Sequence, residues 1–170
     1  EEQMAKVYES YETVGNVLPE IAKELDIPET VQGHVVTRVA PFAFSRQRQI
    51  TAVSIPDTVD SIGQEAFYIC PSLQQLKLPA RLKIIGKNAF NYCRALKSVI
   101  VPTGTIHIDR HAFYDCTALK TISIPDAVGF TGEKVFGADG DAKVECTIVC
   151  RQDSYVEHYA KENGILCSFV

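Results

Sequence analysis

A 23-residue repeat is the feature of this sequence that most limits how it can fold. Residues 62–73 carry Ile, Gly, Ala, Phe, Cys and Leu in a fixed order. The same order returns 23 residues later in residues 85–96, and again in residues 108–119, where Asp109 replaces the glycine. A constant period of this length predicts one structural unit that is stacked on copies of itself, each unit contacting mainly its neighbours.

Each repeat begins with an apolar-x-apolar-Pro segment, found at 25–28, 53–56, 76–79, 99–102 and 122–125. This alternation predicts a short strand with one face inside. Proline lacks a backbone N–H, so it ends the regular pairing. The step from Pro28 to Pro56 is 28 residues, whereas each later step is 23. The extra residues of the first coil are predicted to form a loop around Gly33.

An Ala-Phe step, with Val in place of Ala in the last copy, puts a phenylalanine at one position of every repeat: Phe44, Phe67, Phe90, Phe113 and Phe136. Coils stacked at the strand spacing of about 4.8 Å would bring these rings into offset contact inside the coil. Gly63, Gly86 and Gly132 precede this step in their repeats. They predict a tight turn that needs either a positive φ or a close approach of two backbones.

Three of the six cysteines share one repeat position: Cys70, Cys93 and Cys116. Because free cysteine is among the most often buried residue types, this spacing predicts buried thiols. Cys146, Cys150 and Cys167 lie outside the repeat. One bridge among these three, for instance between Cys150 and Cys167, stays open because connectivity cannot be deduced from sequence. We favour thiols there too.

The chain of 170 residues is predicted to form one domain. We divide it into an N-terminal cap at 1–24, about five coils at 25–142 and a C-terminal cap at 143–170. Residues 8–23 are predicted to cover the first coil with two short strands around Gly15-Asn16, because a solenoid must cover its apolar ends. The alternative for part of this segment is a helix over residues 19–25, with Pro19 in its first turn. The C-terminal cap is predicted as strand, helix and strand, with the helix between Ser154 and Gly164.

Composition excludes two classes of partner. The net charge is −4 and no block of Lys or Arg stands out, so neither nucleic acid nor an anionic membrane surface is expected as a ligand. No apolar run approaches the roughly 18 residues that span a bilayer, so membrane insertion is not expected. The sequence begins with Glu1, as it would after removal of a signal peptide or in a shortened chain.

The repeat as a whole resembles a known family. The pattern Leu-x-x-Leu-x-Leu-Pro-x-x-Leu-x-x-Ile-Gly-x-x-Ala-Phe-x-x-Cys, complete in residues 73–93, is similar to the BspA-type leucine-rich repeat, and the match covers about residues 25–142. The resemblance implies an α/β repeat solenoid. Its coil would be right-handed, with short parallel strands on one face and short helical or 3₁₀ turns near the Ala-Phe step.

The resemblance also implies a function. Members of this family are mostly secreted or attached to the cell surface, and several are implicated in adhesion. It supplies no catalytic residue and no cofactor. We therefore expect a non-enzymatic, extracellular or surface-displayed monomer that binds a protein or a glycan. The alternative is a structural spacer or scaffold domain with no ligand of its own.

The strand face is the predicted binding surface, because solenoids present rows of outward side chains from successive coils. Its candidate contact residues lie between the inward positions of three successive strands: Gln75, Lys77, Ser98, Ile100, Thr121 and Ser123. Ala52 and Ser54 continue these rows in the preceding coil. Ile100 would be an exposed apolar residue within a polar row. For Tyr68, Tyr92 and Tyr114, near the Ala-Phe step, we favour partial packing over an interface.

A metal site is the remaining chemical candidate. His107, Asp109 and His111 alternate along the chain, so in an extended segment they would share one face, and imidazole with carboxylate suits a transition metal. We favour the simpler interpretation, in which Ile108 points inward and the three polar residues are repeat positions that face solvent or a turn.

Overall fold

The computed structural model describes residues 23–31, 33–131, 134–139 and 145–170. The predicted strands at 8–23 lie outside these residues except for Lys23, as does most of the N-terminal cap predicted at 1–24. The described chain is a solenoid of about five coils built from short parallel strands. One cluster of buried apolar residues runs through it.

The first side of the coil carries the strands that the apolar-x-apolar-Pro pattern predicts. Neighbouring strands pair in parallel, in the sheet orders β1-β5-β7 and β9-β12-β15-β16. The repeat sets the register, so that Leu25 pairs with Val53, and Val53 with Leu76. The strands of this side are β1 Glu24–Asp26, β5 Ala52–Ser54, β7 Gln75–Lys77, β9 Ser98–Ile100, β12 Thr121–Ser123, β15 Thr147–Cys150 and β16 Leu166–Phe169.

A second side also consists of parallel strands, which the sequence did not predict. In the first four coils an inward Val or Ile follows an outward residue, in the last coil Phe130 takes the inward position, and each forms a strand of two or three residues that pairs with the neighbouring coil. Ile62, Ile85 and Ile108 are fully or almost fully buried here. The strands are β4 Arg38–Val39, β6 Ser61–Ile62, β8 Ile84–Ile85, β10 His107–Asp109 and β13 Gly129–Thr131.

The third side holds the Ala-Phe step and consists mainly of hydrogen-bonded turns. The predicted helical or 3₁₀ turns are absent from this side in the described residues. Here the backbone of one coil still bonds to the next, as where the Phe67 N–H donates to the Ala89 carbonyl at 2.8 Å. Among the described residues of this side, regular strands form only near the end, where β11 Phe113–Tyr114 pairs with β14 Phe136–Gly137.

Left-handed backbone recurs twice in each of the first four of these turns, at residues that are not glycine. One position includes Glu65, Asn88 and His111, with φ of 55°, 56° and 59°. The other includes Ile69, Tyr92 and Asp115, with φ of 55°, 61° and 55°. Non-glycine residues avoid this region unless surrounding structure holds them there. The coil-to-coil hydrogen bonds on either side of each position supply that restraint.

Gly63 and Gly86 occupy the same position of the repeat because two backbones approach each other closely there. This is the second of the two causes predicted from the sequence. A Cβ on Gly63 would lie 2.6 Å from the backbone nitrogen of Pro41, in the preceding coil. A Cβ on Gly86 would lie 2.9 Å from the backbone nitrogen of Gln64. Neither glycine has a positive φ. Gly132 lies outside the described residues.

The phenylalanine ladder is confirmed. Successive rings stack nearly parallel, with centroids 5.3 Å apart for Phe44 and Phe67, 5.3 Å for Phe67 and Phe90, and 5.4 Å for Phe90 and Phe113. The last step, from Phe113 to Phe136, is 5.9 Å. All five rings are buried, so the ladder is part of the core.

The longer first coil contains a hairpin where the sequence predicts a loop. β2 Thr30–Val31 pairs antiparallel with β3 His34–Val35. Gly33, with φ of 82°, provides the left-handed conformation that such a tight connection needs.

The chain ends as the sequence predicts, in strand, helix and strand. Helix α1 Tyr155–Glu162 connects β15 to the final strand β16, which pairs with it in parallel. Ser154 caps the helix by accepting a hydrogen bond from the Glu157 N–H at 3.2 Å. Glu157 in turn accepts from the Asp153 N–H at 2.6 Å. In the described part of the chain, no helix has the length and apolar character needed to cross a bilayer.

Replacing Ser154 with alanine removes the side-chain acceptor at the start of α1. We expect the free energy of unfolding to fall by about 1 kcal/mol, measured by urea denaturation followed by circular dichroism. Ser154→Thr keeps a hydroxyl at this position and should remain close to the parent protein. Equal stability of the alanine and threonine variants would contradict a capping role.

Candidate binding surface

The predicted contact residues all lie on the outward side of the first-side strands. Gln75 and Lys77 are exposed on β7, and Ser98 and Ile100 are exposed on β9. On β12, Thr121 is exposed and Ser123 is half-buried. The register brings Ser98 beside Thr121 and Ile100 beside Ser123.

Backbone pairing divides the strands of this predicted surface into two parts, although β7 and β9 remain neighbours. β7 ends one sheet and β9 begins the other, and within residues 75–100 no backbone hydrogen bond joins the two strands. Gln75 and Lys77 therefore belong with β5 and β1. Ser98, Ile100, Thr121 and Ser123 form a separate polar strip, in which Ile100 is 76% exposed.

A depression of about 390 Å³ covers the first of these parts. It lies over β1, β5 and β7, and all nine residues of these three strands line it. The middle strand contributes two short outward side chains, Ala52 and Ser54. The strands on either side contribute the longer Glu24, Gln75 and Lys77. Short side chains between longer ones account for the concave shape.

The depression has charge of opposite sign at its two edges. Glu24 and Asp26 lie on β1, and Lys77 lies on β7, two strands away. At a strand spacing of about 4.8 Å, the two edges are about 10 Å apart. The contact residues predicted from the sequence did not include Glu24 and Asp26. They could have been found by continuing the outward rows one coil further, since Leu25 already matches the inward position of the repeat.

The tyrosines beside the phenylalanine ladder pack within the protein, as we favoured. The Tyr92 hydroxyl donates to the Asp139 carboxylate, an interaction that raises the pKa of Tyr92 to about 12. The Tyr114 hydroxyl donates to the Ala138 carbonyl at 2.9 Å. Arg94 donates to the buried Asp115 carboxylate at 2.6 Å and lies over the Tyr92 ring. This network connects three coils. Its tyrosine hydroxyls, guanidinium and carboxylates therefore already have partners within the protein.

The cysteine ladder is confirmed as three buried thiols: Cys70, Cys93 and Cys116. Each thiol donates to the carbonyl of a ladder phenylalanine, at 3.2 Å, 3.3 Å and 3.2 Å in turn. Burial raises the pKa of Cys70 and of Cys116 to about 12. Because the thiolate is the nucleophile, such thiols are unsuited to covalent catalysis. Cys146, Cys150 and Cys167 are also free thiols.

These raised pKa values predict a loss of stability in alkali. The unfolded thiol titrates near 9.0, whereas folded Cys70 and Cys116 titrate near 12. From about pH 9 upward only the unfolded chain loses these protons, so the free energy of unfolding should fall until about pH 12. Each thiol contributes a slope of up to about 1.4 kcal/mol per pH unit. Urea denaturation at pH 8, 9 and 10 measures the slope, which should be shallower in Cys70→Ala. An identical slope in that variant would contradict this origin.

The structure does not bring His107, Asp109 and His111 together as a group of three metal ligands. His107 and Asp109 are half-buried on β10, with Ile108 fully buried between them, as the simpler interpretation predicts. His111 lies in the following turn, where its ring packs against Tyr114 with centroids 4.9 Å apart. Burial first, and then Arg110 and other nearby cations, lower the pKa of His111. Among the described residues, which include all three, no group of three His, Cys, Asp or Glu side chains could hold a metal ion.

Comparison with known proteins agrees with this architecture. The family model described as "BspA type Leucine rich repeat region" matches residues 22–147 in six copies. No curated protein matches the chain.

Several solved structures share the fold. A leucine rich repeat protein from T. pallidum has 27% identity and a TM-score of 0.64, covering 75% of this chain and 59% of its own. A leucine rich cell surface protein from Faecalibacterium prausnitzii has 29% identity and a TM-score of 0.61, covering 71% and 33%. A leucine-rich repeat protein from Bacteroides ovatus has 26% identity and a TM-score of 0.63, covering 75% and 41%. The present chain thus spans less than two thirds of the length of each.

Proposed function

Because the chain belongs to the BspA-type leucine-rich repeat family, we propose that it is a non-enzymatic binding module displayed at the cell surface or secreted. The depression over β1, β5 and β7 is the observation that carries this proposal. It is a concave site with polar and charged groups at its edges, as binding sites commonly are. The surface location is supported by the likeness to a bacterial leucine rich cell surface protein.

A protein ligand fits the depression better than a glycan does. Glu24 and Asp26 at one edge would attract a cationic group, and Lys77 at the other would attract an anionic group, so a polar peptide segment complements both. Ile100, exposed on the adjacent strip, adds an apolar contact. The residues that line the depression include no aromatic side chain, whereas aromatic rings supply large apolar contact areas of the kind that sugars use.

Binding arrays with a filled-in variant test this proposal. The parent protein would be applied to arrays of surface and matrix proteins and, in parallel, to glycan arrays. Ala52→Arg puts a long side chain into the floor of the depression and should weaken a true protein ligand at least about tenfold, which is about 1.4 kcal/mol. Thr117→Arg adds the same group at an exposed turn outside the depression and should leave the affinity unchanged.

The possible outcomes separate the candidates. Protein binding that Ala52→Arg weakens and Thr117→Arg does not would support the proposal. Binding to glycans alone would contradict a protein ligand and indicate that the ligand is a glycan. Two blank arrays at micromolar concentration would overturn the binding role and leave the domain as a spacer or scaffold.

We also propose that the C-terminal strand, helix and strand form a cap and that the coil is a right-handed monomer. The Tyr159 ring of α1 lies against Phe130 with centroids 4.1 Å apart, and 6.5 Å from Phe136, the last ring of the ladder. Val156 and Ala160 are fully buried on the same helix. A helix in this position covers the apolar end that would otherwise favour end-to-end association. Light scattering should give the mass of one chain.

A further inference from the structure

Cys150 and Cys167 occupy adjacent strands near the end of the chain. In the parallel register of β15 and β16, Cys167 pairs with Ile148 and Cys150 pairs with Phe169. The two cysteines are therefore diagonal neighbours. Since side chains alternate along a strand, both lie on the same face as the inward Ile148. Cys150 is 1% exposed, and Cys167 is partly buried against the core.

The thiols are also close enough to influence each other. Burial first, and then Cys167, raise the pKa of the Cys150 thiol to about 11. Diagonal neighbours have Cα atoms about 7–8 Å apart, just beyond the roughly 7 Å that a disulfide can bridge, so one strand must shift by about 1 Å. β16 is the outermost strand of its sheet and is paired on one side only among the described residues. A shift of β16 would disturb its own pairing with β15 but no other ladder among the described residues.

We propose that Cys150 and Cys167 are an oxidation site that closes to a disulfide, tying β16 covalently to β15. This inference does not depend on the proposed binding function. The other cysteines are differently placed. Cys70, Cys93 and Cys116 are each engaged with the carbonyl of a ladder phenylalanine. Disulfides form and persist in oxidising surroundings, so the site would operate outside the cytoplasm.

The reaction requires a disulfide oxidant such as oxidised glutathione. Cys167, the more exposed thiol, loses its proton to solvent, and its sulfur attacks one sulfur of the oxidant. This step forms a mixed disulfide and releases the first reduced glutathione. Cys150 then loses its proton and attacks the Cys167 sulfur, which releases the second. In total, two protein thiols lose two electrons and two protons, and one glutathione disulfide becomes two glutathione thiols.

Peptide mapping of the full chain tests the proposal. The protein would be incubated with oxidised glutathione at pH 8, quenched in acid, blocked with N-ethylmaleimide under denaturing conditions and digested with trypsin. We expect a cross-link between the peptides that contain Cys150 and Cys167, with four of the six cysteines still blocked as thiols. Cys146 shares a tryptic peptide with Cys150, so variants must separate the two. The cross-link should persist in Cys146→Ala and disappear in Cys150→Ala.

Stability provides a readout that does not rely on a variant. In the chain-entropy account a disulfide stabilises the folded state by restricting the unfolded chain, and the oxidised parent protein should show a Tm higher by about 5 °C or more. Dithiothreitol should reverse both the cross-link and the shift. Six blocked thiols after oxidation, a stable glutathione adduct on Cys167, a cross-link to Cys146 or a disulfide between two chains would each overturn the proposal.

Discussion

Replacing Phe90 with alanine is expected to lower the free energy of unfolding by about 3–5 kcal/mol, through lost burial and the cavity left behind. The Phe90 ring is fully buried in the middle of the ladder. It stacks on Phe67 at 5.3 Å and on Phe113 at 5.4 Å. Both neighbours are held by their own coils, so they cannot close the gap. Because the loss is comparable to the total stability of many domains, this variant should be largely unfolded at a moderate temperature.

Urea denaturation followed by circular dichroism measures this effect, and Phe42→Ala is the matched control. Phe42 is 42% exposed at the start of the third side, so its removal should cost less than about 1 kcal/mol. A loss of under about 1.5 kcal/mol for Phe90→Ala would contradict the view that the stacked rings hold the coils together. Should Phe90→Ala fail to fold, Phe90→Leu retains most of the volume and should give an intermediate loss.

Replacing Gly86 with alanine is expected to lower the free energy of unfolding by about 1–3 kcal/mol or more, although only one methyl group is added. The added Cβ would lie 2.9 Å from the Gln64 nitrogen, the Gly63 carbonyl carbon and the Ile62 oxygen. All three are backbone atoms of the preceding coil. That coil is bonded in turn to the one before it, where the Gly63 N–H donates to the Val39 carbonyl at 2.9 Å and the Phe42 N–H donates to the Gln64 carbonyl at 2.9 Å. The two coils would have to separate, which would lengthen the bond from the Gly86 N–H to the Ile62 carbonyl, now 2.8 Å.

Gly129→Ala is the control for this prediction. Gly129 lies on the same side of the solenoid, and the nearest atom to its added Cβ is the Ile106 oxygen at 3.6 Å, an ordinary contact. Neither glycine has a positive φ, so backbone strain does not separate the two variants. We expect Gly129→Ala to stay within about 0.5 kcal/mol of the parent protein. Equal losses for both variants would show that the close approach at Gly86 is not the cause.

The inward positions of the coil could be predicted because every repeat needs the same residue at the same place. Five phenylalanines and three cysteines at a constant interval identify the buried ladders without any knowledge of the structure. The second set of strands could not be predicted in the same way. A two-residue strand such as Ser61–Ile62 is too short to show an alternation, and it is extended only because the next coil pairs with it.

The residues with a left-handed backbone conformation could not be predicted for a related reason. Glu65, Asn88 and His111 share no residue type that signals a positive φ, and the glycines nearby suggested that the left-handed positions lay elsewhere. The conformation is imposed by hydrogen bonds between coils. Those bonds join residues 23 apart and cannot be read from a local pattern.

The sequence predicts which side of the strands faces outward, but it does not predict where on that side the depression lies. Outward rows follow directly from the strand alternation, so Gln75 and Lys77 could be named. The interruption between β7 and β9 depends on how coils three and four pack, and it determines that these two residues belong with Glu24 and Asp26. Residue size also matters, since Ala52 and Ser54 create the depression by being small.

The coil-to-coil hydrogen bonds on all three sides have a mechanical consequence. In a parallel sheet these bonds point across the strands, and here that direction is the long axis of the solenoid. Tension applied between the two ends would therefore peel away one coil at a time, since each coil contacts mainly its neighbours. Each 23-residue coil that opens releases about 70 Å of chain. Under flow or traction the domain would lengthen in steps and yield gradually.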